Sequence, residues 1–120
     1  MTATILVVDD DPLIQMTIGG ILEDEGYTVV GAGDGLEALA RLAELRPAAI
    51  LLDITMPRMD GYAFATELAR RGLREAVPVI VLTADGRAAE KAAQLGADGY
   101  LAKPFTLPTL LAEGARVAGG

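Results

Sequence analysis

The sequence predicts an α/β domain: five parallel strands alternating with five helices, (βα)5, doubly wound so that helices cover both faces of the sheet. Three observations predict it. Five short aliphatic runs recur along 120 residues, at 4–8, 27–32, 48–53, 77–83 and 99–102. Three of them, "TILVV", "AAILLD" and "VPVIVLT", are nearly unbroken in Val, Ile and Leu, the composition of strands covered on both faces. Segments with helical spacing fill the intervals, and strand–helix–strand at this spacing implies parallel pairing through right-handed crossovers.

The first run is followed by Asp9, Asp10 and Asp11. Asp11 before Pro12 reads as an N-cap and a first helical residue. Ile14, Ile18, Ile21 and Leu22 then fall on one helix face, and Gly26 stops that helix. Gly19-Gly20 lies inside it, at about 2 kcal/mol relative to two alanines, so the helix either packs closely there or is locally soft. The second run leads into "GAGDGL", residues 31–36. This is G-x-G-x-G rather than the dinucleotide G-x-G-x-x-G, and no acidic residue closes a following strand to hold a ribose. It reads as a turn with Asp34 capping a helix, whose face holds Leu36, Leu39, Ala40 and Ala43 and whose end is expected at Pro47. The third run ends in Asp53. Pro57 and Gly61 then shape a loop expected to leave Asp53 exposed and to delay the next helix until about Tyr62. Further helices are expected at 63–70, 88–95 and 107–117, with Gly72 and Gly96 as stop signals.

Composition bounds the chemistry. Hydrophobic residues make up 52% of the chain and aromatics 4%, so the core is built from Ala, Val, Leu and Ile. Cysteine and histidine are both absent, which excludes disulfides and thiolate sites and removes the commonest general base and zinc ligand. A formal net charge of −7 argues against direct nucleic-acid binding. No apolar run approaches the ~18 residues of a membrane span, and "MTATILVVDDD" lacks a basic leader. The expectation is one soluble, cytoplasmic domain over residues 1–120.

Open sheets of this kind place chemistry beyond the carboxyl ends of their strands. Those ends carry Asp9, Asp10 and Asp53, with Thr83 after the fourth strand and Lys103-Pro104 after the fifth. Taken singly, each has an ordinary explanation: loop carboxylates, a helix cap, a surface lysine. Together they do not. Two carboxylates ~4 Å apart repel by about 4 kcal/mol at an effective dielectric near 20. Three together either keep a proton or recruit a cation, and oxygen-only donors suit Mg²⁺. A hydroxyl and an ammonium nearby serve an anion bound to that ion. The set reads as phosphoryl transfer with one Asp as covalent acceptor.

In "ILVVDDDP", "LLDITMPRMDG", "VIVLTA" and "GADGYLAKPF", in this order, the sequence resembles the receiver domain of bacterial two-component response regulators, of the chemotaxis-regulator type. The resemblance covers essentially the whole chain. It implies a flavodoxin-like sheet in the strand order 2-1-3-4-5, with Asp53 as phosphoacceptor. Asp9 and Asp10 would be the acidic pair holding Mg²⁺, Asp10 directly and Asp9 mostly through water. Asp53 and the Thr55 carbonyl would complete the protein ligands. Thr83 would bond a phosphoryl oxygen, Lys103 would pair with the phosphate, and Tyr100 would reorient with Thr83. A cis Lys103–Pro104 bond is implied too. Asp85 either caps the fourth helix or shades the phosphorylation site.

The implied partner is a sensor histidine kinase or a histidine phosphotransfer protein. The implied activity is a signalling switch, not an enzyme, that catalyses only its own phosphorylation and dephosphorylation. Gly99, at a position often acidic in relatives, and the few charges of the last helix point to a monomer. Met1 suggests a native start, and the chain is either a stand-alone receiver or cut from a longer regulator. Two alternatives compete. A dehalogenase-like phosphatase also uses aspartyl phosphate and Mg²⁺, but places its nucleophile after strand one in Asp-x-Asp and needs a cap. A flavodoxin-like FMN carrier needs a hydroxyl-rich phosphate loop and flanking aromatics, where this chain has acids and no tryptophan.

Overall fold

The computed structural model describes residues 3–54, 59–73, 76–83, 87–103 and 106–117. Strands β1 (Thr4–Val8), β2 (Thr28–Ala32), β3 (Ala49–Asp53), β4 (Val79–Thr83) and β5 (Gly99–Ala102) alternate with helices. These are α1 (Pro12–Asp24), α2 (Gly35–Leu42), α3 (Gly61–Arg70), α4 (Ala88–Leu95) and α5 (Leu107–Val117). The strands pair in parallel in the order β2-β1-β3-β4-β5, as the resemblance implied. β3 and β4 are buried throughout and β1 from Ile5 onward, while β2 and β5 form partly exposed edges.

Alternation along the strands divides the aliphatic side chains between two faces. Leu6, Val8, Ile50 and Leu52 pack against α2 and, through Phe64 and Leu68, against α3. Ile5, Val7, Leu51 and Leu82 pack under Ile18 and Leu22 of α1 and Leu110 of α5. Val81 meets Ala92 of α4. So α1 and α5 cover one face, and α2, α3 and α4 the other. Phe64 is the one aromatic among the largest fully buried side chains, which otherwise are Ile and Leu. Each such aliphatic contributes roughly 1.5–3 kcal/mol by leaving water.

The helix boundaries follow local chemistry. Asp11 accepts the Leu13 N–H at 2.9 Å and Asp34 the Glu37 N–H at 2.9 Å, as expected of caps. Gly26, Gly72 and Gly96 take left-handed backbone, with φ of 95°, 72° and 68°, where helices α1, α3 and α4 stop. Two expectations for α2 need correction. Its buried face is Gly35, Ala38, Leu39 and Leu42, while Leu36 is 45% exposed. Ala40 and Ala43, expected inward, are exposed too; Glu37 and Arg41 mark the outer side, and Gly35 belongs to the inward row without a side chain to reveal it. It also ends at Leu42, well before Pro47; the bonds Glu44 N–H to Arg41 O and Leu45 N–H to Arg41 O continue it only as a turn.

The Gly19-Gly20 pair is not required by close packing. A Cβ on Gly19 would stand 3.5 Å from Val29 Cγ1, an ordinary contact, and one on Gly20 would meet nothing within 4 Å. Gly20→Ala is therefore expected to stabilise the domain by about 1 kcal/mol. Denaturant unfolding should show a higher midpoint at unchanged slope; an unchanged or lower midpoint would mean that α1 needs that glycine.

Candidate functional site

Register brings the strand ends level. Val8 lies opposite Leu52, so Asp9 and Asp53, each one residue further, share a height. Asp53 lies opposite Leu82, with Thr83 next; Thr83 lies opposite Ala102, with Lys103 next. The chain leaves β1 for edge strand β2 and returns to β3 on the other side of β1. The winding therefore reverses between β1 and β3, which opens a crevice where Asp9 and Asp53 stand.

Carboxylate oxygens of Asp9, Asp10 and Asp53 lie within 4.8 Å of one another. Asp9 is fully buried and both its oxygens are engaged. Oδ1 accepts the Asp11 N–H at 2.9 Å, and Oδ2 accepts from the Lys103 ammonium at 3.0 Å. Lys103 Nζ also stands 3.8 Å from Asp53 Oδ1. Its backbone is tied in as well, the Lys103 N–H donating to the Thr83 carbonyl at 2.7 Å. Three carboxylates against one ammonium leave two formal negative charges, which suits a divalent cation. The donors are all hard oxygens, with no nitrogen or sulfur ligand, so the set suits Mg²⁺ better than Zn²⁺. Asp11 stands apart from this work; its carboxylate caps α1.

One departure from expectation lies at the end of β3. Asp53 is 7% exposed, not open to solvent. Gly61 closes down on the backbone of the strand end: a Cβ there would come 2.8 Å from Ile54 Cα and 3.0 Å from the Asp53 carbonyl oxygen. The Gly61 N–H donates to the Ile54 carbonyl at 2.8 Å, so α3 begins directly against the end of β3. Asp60, a cap that the sequence reading did not single out, receives the Ala63 N–H at 2.9 Å. Met59 is held too, its Cγ and Sδ lying 2.6 and 2.8 Å from where a Gly35 Cβ would be.

Thr83 is buried at the end of β4. Tyr100 does not join the cluster. It is 47% exposed and borders an open cavity of about 550 Å³ between α4 and α5, lined also by Ala92, Ala93, Thr109 and Glu113. Thr55, Asp85 and Pro104 lie outside the described residues. One contact was invisible to motif reading: the Gln15 carboxamide bonds the Asp9 carbonyl at 2.6 Å. No helix among the described residues is long and apolar enough to cross a membrane.

Comparison with known proteins gives a consistent result. The response regulator receiver domain family matches residues 5–114. Response regulator MprA of Mycobacterium tuberculosis is 46% identical over 115 residues, which cover 94% of this chain and 49% of that protein. The chain thus spans about half the length of the curated relatives it matches. Among solved structures, the chemotaxis response regulator CheY4 of Vibrio cholerae superposes with a TM-score of 0.89 at 34% identity, covering 98% of this chain and 99% of that one. The receiver domain of the sensor histidine kinase PA1611 of Pseudomonas aeruginosa has a TM-score of 0.89 at 34% identity over 100% of each chain. That structure holds a magnesium ion coordinated in its active-site cleft.

Proposed function

The chain belongs to the response regulator receiver family, and we propose that it works there as a magnesium-dependent switch that carries its phosphoryl group on Asp53. The observation that carries this reading is the convergence of Asp9, Asp10, Asp53 and Lys103 from three strand ends. Asp10, exposed at the rim, and Asp53 would supply direct ligands for Mg²⁺, and the Thr55 carbonyl is the further ligand the family resemblance implies. Asp9, whose oxygens already serve Lys103 and the loop, acts through water. When bound, the ion offsets the repulsion among the carboxylates and the charge of the phosphoryl oxygens.

An Asp53 carboxylate oxygen is the nucleophile on phosphorus, and the bond to the donor imidazole of a phosphohistidine breaks as the new P–O bond forms. The donor is a sensor histidine kinase or a histidine phosphotransfer protein. Lys103 Nζ, 3.0 Å from Asp9 Oδ2 and 3.8 Å from Asp53 Oδ1, pairs with the incoming phosphate. Thr83 donates its hydroxyl proton to a phosphoryl oxygen, and Tyr100 turns inward into the space this leaves. The readout is the surface of α4, β5 and α5. We place the domain at residues 1–120, monomeric and cytoplasmic, with no turnover beyond its own phosphorylation and dephosphorylation.

The test uses acetyl phosphate as a small donor. One base-labile phosphate per chain is expected with Mg²⁺ and none in EDTA. Asp10→Ala should weaken Mg²⁺ binding more than Asp9→Ala. Equal labelling in EDTA, or Asp11→Ala as the most damaging variant, would refute the assignment. Steady hydrolysis of a phosphate ester would favour the phosphatase alternative instead.

A further inference from the structure

Gln15 sits on α1, outside every motif, yet its side chain reaches the loop that carries the acidic pair. Its Nε2 donates to the Asp9 carbonyl at 2.6 Å and to the Ala32 carbonyl at 2.9 Å. Two carbonyl acceptors at one atom identify that atom as the nitrogen of the carboxamide. The Ala32 carbonyl also receives the Asp9 N–H at 3.0 Å. Both the N–H and the C=O of Asp9 are thereby tied to the end of β2, the second through Gln15.

The Asp9 carbonyl shares a peptide plane with the Asp10 N–H. Fixing that plane places the N and Cα of Asp10, so that only φ and χ1 remain to carry its carboxylate to the metal. Asp10 is exposed, so packing does not set its direction.

Gly31 supplies the second half of the argument. A Cβ there would overlap Gln15 Oε1 and lie 3.2 Å from Gln15 Cδ. The backbone does not demand glycine, because the left-handed glycines among the described residues are Gly26, Gly72 and Gly96. What the missing side chain leaves is room for the carboxamide.

We propose that Gln15 is a positioning residue of the magnesium site, holding the Asp9–Asp10 peptide for metal binding, and that Gly31 is the seat of its carboxamide. This deepens, and rests on, the reading of Asp9, Asp10 and Asp53 as that site. Gln15 touches neither carboxylate and acts only through the loop. Groups bonded directly to a metal ligand typically change metal affinity by about 10–100-fold when removed; Gln15 acts one step further out, so the lower end applies.

The experiment is a Mg²⁺ titration followed by amide NMR, paired with the melting midpoint in EDTA. Gln15→Met keeps the side-chain length and removes the donor; it should weaken Mg²⁺ about tenfold. Gly31→Ala should do the same with little change in the midpoint, since what it displaces is the tip of a flexible side chain. In a Gln15→Ala background, Gly31→Ala should cost less than twofold, because no carboxamide remains to displace. Wild-type affinity in Gln15→Met, whatever its midpoint, or an undiminished Gly31→Ala effect in the double variant, would overturn the inference alone. No Mg²⁺ binding by the wild type in the same titration would overturn the magnesium reading, and this inference with it.

Discussion

Asp53→Asn is expected to accept no phosphoryl group under conditions where the wild type takes up one. The carboxamide keeps the shape of the side chain but removes the anionic oxygen that attacks phosphorus. Misfolding should not be the reason. Asp53 shares its pocket with Asp9 and Asp10, their oxygens within 4.8 Å, and removing its charge relieves repulsion from two carboxylates while giving up the attraction of one ammonium, Lys103 Nζ at 3.8 Å. The variant should therefore unfold at or above the wild-type midpoint in EDTA. Intact-mass spectra after incubation with acetyl phosphate and Mg²⁺ give the answer directly. Equal labelling of Asp53→Asn and wild type would move the acceptor to another carboxylate.

Lys103→Met should destabilise the metal-free domain by about 3 kcal/mol, the lower end of what breaking a buried pair costs. The lower end applies because the lysine side chain keeps 18% of its exposure, whereas that of Asp9 keeps 1%. Without the ammonium, Asp9 is a buried charge with two further carboxylates beside it. Against a total stability of roughly 5–15 kcal/mol, this is a large loss. Its signature is a dependence on metal. Mg²⁺ binds the folded cluster and stabilises it by mass action, and with the ammonium gone the pocket is more negative. The deficit should shrink as Mg²⁺ is raised. A deficit of the same size in EDTA and in saturating Mg²⁺ would show that Lys103 matters for packing and not for charge.

Much of the fold was legible because its signals are local. Uninterrupted aliphatic runs marked β1, β3 and β4, and Asp11, Asp34, Gly26, Gly72 and Gly96 marked helix ends through chemistry confined to a few residues. Asp9, Asp10, Asp53, Thr83 and Lys103 could be nominated because each closes or follows a strand. Their common height, however, comes from pairing register. The sheet order came from family resemblance, since alternation alone does not specify which strand neighbours which. Other features depend on contacts between distant segments. Leu36 was assigned inward because α2 offers apolar residues on most sides, and only its seating on the sheet selects the row of Ala38, Leu39 and Leu42. The low exposure of Asp53 accompanies its meeting with Asp9, Asp10 and Lys103, which come from other strand ends. Gln15 joins residues six and seventeen positions away, and no periodicity reports such a contact.

The central claim is that one phosphoryl group on Asp53 resets the α4–β5–α5 surface through Thr83 and Tyr100. A phosphoryl group on Asp53 would add charge and strong acceptor oxygens beside Thr83 and Lys103, and would bias a surface that has two arrangements. Thr83 is 6% exposed and Tyr100 47% exposed, so an inward turn of the ring is a measurable change of environment. The most direct measurement is amide-resolved NMR of wild type and Thr83→Ala in Mg²⁺, each with and without beryllofluoride as a phosphoryl mimic. Both proteins should show the mimic bound near Asp53. Amides around Tyr100 should shift in the wild type and barely move in Thr83→Ala; equal shifts in the two proteins would contradict the relay.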